Sequence, residues 1–258
     1  MSACTKTPQP VKIALLAPFE GRYREVGYDA LYAARLALAD SPVVVGEITL
    51  LPIDDGGDIS SAVERAEALR RDPAVKSVLG LGYAATSDAV QAALGDVPVL
   101  IVGYWGARPQ RENAYILASP DLHERVTTPA RAAITDLARL PTPLRCGPVC
   151  GLAQFPQLRD DLSDISVLSS SSLPDAVFRQ RYVDSAQFAP EPGLLATLTY
   201  DATMLAVQSV NAGVPLDAIE SVGINGRIRF ADDDYWQDAP INRFAYEDAV
   251  LRSSTSGP

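Results

Sequence analysis

An α/β fold, an open parallel sheet with helices on both faces, is predicted by three observations. Short apolar runs such as VKIALLA at 11–17 and VPVLIV at 97–102 read as strands buried on both faces. Stretches with apolar residues at helical spacing stand between them. Turn-forming Pro, Gly and Asp close the transitions, and strands that alternate with helices pair in parallel.

In chain order, the first strand at 11–17 ends at Pro18, and a helix over 25–39 carries Leu31, Ala34 and Leu38 on one face. A second strand at 46–53 is stopped by Asp54-Asp55-Gly56-Gly57. Ser61 and Glu64 stand at capping-box spacing for a helix lined by Ala62, Ala66 and Leu69, which Asp72-Pro73 ends. The third strand is 75–79, and Gly80-Leu81-Gly82 opens onto a short helix running to Leu94. Strands follow at 97–102 and 114–118, where Ser119-Pro120 suits an N-cap and first turn. Helical pattern is expected on to Leu140, kinked or restarted at Pro129.

Past Pro141 the pattern loosens. Residues 141–164 read as loop, 165–168 as a short strand and 169–172 as a polar turn. Two helices, 174–184 and 197–211, precede a hairpin that pairs 226–230 with 242–247, and the closing SSTSGP is expected to be disordered.

With 258 residues, 47% of them hydrophobic, the chain is expected to build a real core. Its 22 basic and 32 acidic residues leave a net charge of −10, against the basic stripe that nucleic-acid binding needs. No apolar run reaches the roughly 20 residues that span a bilayer. Zinc is not expected with a single histidine. Cys146 and Cys150, in CGPVC, fit either a disulfide closed through the Gly147-Pro148 turn or two reduced structural thiols. Met1-Ser2-Ala3-Cys4 lacks a hydrophobic signal core, yet Ser-Ala-Cys is what remains of a lipoprotein signal trimmed to its lipidation motif. On that reading Cys4 is the lipidation candidate, residues 1–9 are a tether, and the chain is extracytoplasmic.

VKIALLAPFEGRYREVGYDALYAARLAL resembles the opening strand, ligand loop and first helix of the type I periplasmic solute-binding proteins, in particular the branched-chain amino-acid group that serves ABC importers. LPIDDGGDISSAVERAEALRRDPAVKSVLG is similar to that family's second unit, and VPVLIVG and AYILASPDLHERV continue in register. PDAVFRQRYV, FAPEPGLLATLTYDATMLAVQSV and GINGRIRFADDD look like its closing elements. One departure stands out: Leu140 passes almost directly to PVCGLAQFPQL and ISVLSSSS, so most of the family's second lobe is expected to be missing. Residues 10–140 and 196–258 then form the main lobe, and 141–195 a remnant of the second. The family's device of two lobes closing on a ligand would be weakened accordingly.

The resemblance implies that the loop GLGYAATSDA receives a ligand carboxylate, and the positive end of a helix favours an anion there. Tyr83, Ala84, Ala85, Thr86 and Ser87 are the candidates from this loop, although Thr86 and Ser87 equally fit plain helix capping. Phe19 and Tyr23 after the first strand, and Tyr104, Trp105 and Gly106 after the fourth, leave the sheet at the same carboxyl edge, where open α/β sheets hold ligands. Those rings would wall a pocket, fill the space left by the missing lobe, or form a contact patch. Tyr200-Asp201-Ala202 resembles a family signature and reads as architectural; Asp232-Asp233-Asp234 reads as a solvated turn.

Catalysis is not expected. His123 has no nucleophile near it in sequence and no Gly-x-Ser-x-Gly elbow occurs. Gly80-x-Gly82-x-x-Ala85 imitates a dinucleotide fingerprint but follows the third strand rather than the first, so no cofactor is expected. The expected function is non-covalent binding of an amino acid or related small carboxylate, with an ABC permease as partner and the membrane met only through a lipid anchor. The alternative is an interaction or assembly module without ligand capture, with a homodimer as its natural form.

Overall fold

The computed structural model describes residues 11–42 and 48–254. Cys4, the tether at 1–9 and the last four residues of the SSTSGP tail lie outside them. Strands β1 (Val11–Ala17), β2 (Ile48–Asp54), β3 (Val75–Gly80), β4 (Val99–Val102) and β5 (Ala114–Leu117) form one parallel sheet in the order β2-β1-β3-β4-β5. Its centre is dry: Ile13 to Ala17 and Val99 to Val102 have no exposed surface. Helices α1 (Arg24–Asp40) and α7 (Ala196–Ala212) lie against each other on this sheet, as do α2 (Ile59–Arg71) and α3 (Asp88–Leu94). The α2 cap is Asp58, whose carboxylate accepts from the Ser61 N–H at 3.0 Å, rather than Ser61 itself.

Two sequence expectations change here. The helix expected through Leu140 is broken into two single turns, α4 (Leu122–Arg125) and α5 (Ile134–Leu137). Between them the Thr127 and Thr128 N–H groups donate to the Arg145 carbonyl, Pro129 offers no donor, and Arg131 is left-handed at φ 63°. The N-cap of α4 is Asp121, and the Ser119 N–H instead donates to the Ser170 hydroxyl at 2.9 Å.

The second sheet is small: β6 (Leu144–Cys146) and β7 (Ile165–Ser169) run parallel, and β10 (Asn242–Glu247) and β11 (Val250–Ser253) add antiparallel strands in the order β11-β10-β7-β6. Helix α6 (Ala176–Asp184) packs on α1. The expected hairpin of 226–230 with 242–247 is two separate hairpins. One is β8 (Ser221–Gly223) with β9 (Gly226–Ile228); the other is β10 with β11, turned by Asp248 and Ala249, both at positive φ. Residues 242–253 thus hydrogen-bond into the second sheet, beside β7, and not into the main one with which they were grouped. The first sheet is instead lengthened at its edge by 234–236, where the Ile116 N–H donates to the Asp234 carbonyl and the Trp236 N–H to that of Ile116. The result is an open parallel α/β lobe joined to a reduced second lobe. Buried side chains of both sheets belong to one continuous core.

Two carboxylates on α1 tie the lobes together. Glu25 accepts from the Ala153 N–H at 2.6 Å, and buried Asp29 from the Gly193 N–H at 2.9 Å and the Tyr182 hydroxyl at 3.4 Å. Cys146 and Cys150, both fully buried, are joined by a disulfide with their Cα atoms 5.9 Å apart.

Candidate functional site

Each of β1 to β4 delivers a loop to the carboxyl edge of the sheet. After β1, buried Pro18 packs on Gly82 of the loop after β3, where φ is 91° and an added Cβ would lie 3.0 Å from the proline ring. After β2, Asp54 Oδ1 accepts from the Phe19 N–H at 2.8 Å, so the first two loops are bound to each other. Asp55 has no exposed surface; it accepts from the Gly57 N–H at 2.7 Å and from the Ala85 N–H at 3.1 Å. Burial outweighs these hydrogen bonds and pushes the Asp55 carboxyl up to about 6.

The aromatic residues form a chain of edge-to-face contacts. Tyr23 meets Tyr83 at 6.0 Å between ring centres and 90°, and Tyr83 meets Trp105 at 5.5 Å and 87°. The Tyr23 hydroxyl accepts from the Ile134 N–H at 3.0 Å, and the Trp105 indole N–H donates to the Val102 carbonyl at 2.8 Å. Burial raises the Tyr83 hydroxyl far above its ordinary value, so the ring stays neutral.

Beside this chain lies a hollow of about 260 Å³, lined by Pro18 and Tyr23 from after β1, Asp55, Gly57 and Ile59 from after β2, Gly82, Tyr83 and Ala84 from after β3, Trp105 from after β4, and Arg131 and Ala133. A void of about 20 Å³ on the other side of Tyr83 and Trp105 reaches Tyr104, Gly106 and Gly147. Thus the structure brings Tyr23, Tyr83, Ala84 and Trp105 to one hollow, and Tyr104 and Gly106 to the void behind it. Phe19 packs edge-on against Tyr28 at 5.8 Å. Thr86 and Ser87 are turned to local work: the buried Thr86 hydroxyl donates to the Gly82 carbonyl at 2.7 Å, and the Ser87 hydroxyl caps α3. Tyr104 packs edge-on against His123, whose ring nitrogen lies 3.0 Å from the Tyr235 hydroxyl. Burial, then the charge of Arg108, holds His123 below its ordinary value.

A family profile described as periplasmic binding protein matches residues 10–139, half of the chain. The chain belongs to the periplasmic binding protein family. Family members are binding proteins rather than enzymes, and membership carries an extracytoplasmic location. Solved structures of substrate-binding proteins share the fold. A leucine-binding protein from Thermotoga maritima superposes with a TM-score of 0.75 at 12% identity, over 95% of this chain and 98% of that one. A branched-chain amino-acid binding protein from Streptococcus pneumoniae, in complex with isoleucine, gives 0.72 at 13% over 95% and 100%. A solute-binding protein from R. palustris, in complex with benzoate, gives 0.61 at 11% over 95% of each. Comparison with curated proteins returns no match.

Arg131 escaped the reading of this periplasmic binding protein's sequence. A helix was expected at its position, and only the break at Pro129 with a left-handed backbone carries its side chain to the hollow, 3.6 Å from Asp88.

Proposed function

We propose that this periplasmic binding protein holds an amino acid or related small carboxylate, non-covalently, in the hollow at the carboxyl ends of β1 to β4, and presents it to an ABC permease. One observation carries the reading: the crossover loops of all four strands converge on a single hollow with aromatic walls. Tyr23, Tyr83 and Trp105 suit the apolar body of a ligand, and the Arg131 guanidinium suits its carboxylate. In the loop expected to receive that carboxylate, the Ala85 N–H already serves Asp55. The leucine, isoleucine and benzoate named for the structural neighbours are all small carboxylates and head the list to test.

The test is a thermal-shift screen of the twenty amino acids and small aliphatic and aromatic carboxylates. A ligand at about 100 times its dissociation constant stabilises the fold by about 2.7 kcal/mol. A flat response across the set with a cooperative melt overturns the reading. Lipidation of Cys4 belongs to the same proposal and is checked by the mass of the protein recovered from membranes.

A second reading, an assembly module without ligand capture, is favoured by the Asp55–Ala85 bond, which fills the expected anion seat from within. A flat screen together with a dimer in light scattering, dissociated by Tyr104→Ala, would favour it.

A further inference from the structure

The outer face of the second sheet reverses the sign of the molecule's charge. Register sets Arg145 of β6 beside Ser166 of β7, and Leu168 of β7 beside Arg243 of β10, so these four side chains leave one face. The alternate residues Leu144, Cys146, Val167 and Phe244 are buried on the other face. The outer face floors an open groove of about 940 Å³, within the range of small-molecule sites, to which the end of α4 adds Arg125. Arg252 of β11, paired with Ala245, extends the same face.

Three guanidiniums, of Arg125, Arg145 and Arg243, line this groove against one carboxylate, Asp164, in a chain of net charge −10. Among the described residues neither Arg145 nor Arg243 has an ion-pair partner, and Arg125 has only Asp121 at 3.8 Å. The Arg243 Nε donates to the Ser166 hydroxyl at 3.0 Å, which holds the guanidinium over β7 with its terminal nitrogens facing no protein acceptor among the described residues. Arg145 and Arg243 stand on the two strands that flank β7. An oxyanion lying over β7 between them would take paired N–H donors from each guanidinium.

We propose that this groove is a second binding site, separate from the hollow of the first sheet, for a small multivalent oxyanion carrying phosphate or carboxylate groups. Thr127, Ser166 and Asn242 are the groove's uncharged polar neighbours, the Ser166 hydroxyl holding Arg243 and the Asn242 amide donating to the Ser171 carbonyl at 3.0 Å.

The experiment is titration calorimetry of the whole protein with sodium tripolyphosphate and, separately, with citrate. Saturable binding of either, weakened about tenfold or more by Arg145→Gln and by Arg243→Gln and less by Arg243→Lys, is the expected result. Arg65→Gln, on the exposed face of α2, leaves it unchanged, and circular dichroism checks that each variant is folded. The groove variants also leave any amino-acid response of the first site intact, so the two proposals fail separately. The inference is overturned if neither anion binds, if Arg65→Gln weakens binding as much as the groove variants do, or if the protein binds only phosphatidylglycerol vesicles.

Discussion

The Ala85 N–H donates to the Asp55 carboxylate at 3.1 Å, across thirty residues of sequence. The bond joins the loop after β2 to the loop after β3, and a carboxylate of the protein's own takes up a donor of the loop expected to receive an anion. Asp55→Asn leaves one of the two N–H donors, of Gly57 or Ala85, facing an amide NH₂ group. The expected loss is about 1–3 kcal/mol in urea unfolding. An unchanged midpoint would show that the loop re-forms its hydrogen bonds and that Asp55 is dispensable.

Asp29 sets a pH dependence. Burial raises its carboxyl from 3.8 to about 7, over the opposing Gly193 hydrogen bond, and the nearby charge of Glu25 adds to the rise. The folded protein therefore holds this proton more tightly than the unfolded chain does. Stability is highest at low pH, falls as pH climbs from about 4 to about 7, and is level above that as far as this group is concerned. The fall is roughly 4 kcal/mol at most, at about 1.4 kcal/mol per unit. Asp29→Asn keeps an acceptor for the Gly193 N–H and removes the titration. Urea midpoints between about pH 4 and 8 should slope less for the variant, with remaining slope from the other carboxyls that burial raises, Asp55, Glu25, Asp201 and Asp234.

If the first hollow holds a carboxylate, Arg131→Gln should weaken binding about ten- to a hundredfold, the worth of a charge-assisted hydrogen bond. Stability should hardly move, because the Arg131–Asp88 contact is a loose 3.6 Å pair at the surface. Tyr83→Ala removes a wall and should weaken every ligand found, whatever its charge. Binding that survives both changes would place the ligand elsewhere.

The first sheet was legible because its strands are unbroken apolar runs closed by turn residues, and burial on both faces leaves little choice of partner. The short strands β6, β8 and β11 of the second half were not. Leu144–Cys146 lies among prolines and glycine and becomes a strand only by pairing with β7. The β10–β11 turn uses Asp248 and Ala249 in place of the Asn-Gly that would have marked it. At the site, Tyr23, Tyr83 and Trp105 could be read from their positions after β1, β3 and β4, whereas Arg131 and the Asp55–Ala85 bond depend on tertiary contacts that no local pattern encodes.

The Cys146–Cys150 bridge closes a very short loop, and the chain-entropy account gives it about 2 kcal/mol. Reduction, or paired replacement by serine, should lower the urea midpoint by that amount. Gly147 packs against Tyr104, where an added Cβ would lie 3.0 Å from the ring, so the same change should alter the fluorescence of neighbouring Trp105. A midpoint indifferent to reductant would mean that buried packing alone holds this turn.

Asp201 and Gly223 provide the sharpest test of the C-terminal half. The Asp201 carboxylate, on α7, accepts from the N–H groups of Ile224 and Asn225 and from the Asn225 side-chain amide, each at 2.8 Å. It thereby fixes the two-residue turn of the β8–β9 hairpin, and Asn225 in turn accepts from the Ser172 N–H at 2.6 Å. A Cβ on Gly223 would lie 2.3 to 2.5 Å from the carboxylate atoms, a distance that cannot be relieved without pulling the turn off α7. Gly223→Ala should therefore cost about 2–4 kcal/mol, as much as removing the carboxylate with Asp201→Ala. Because both act on one contact, the double variant should lose little more than either single one. Additive losses in urea unfolding would show that the glycine and the carboxylate serve separate ends.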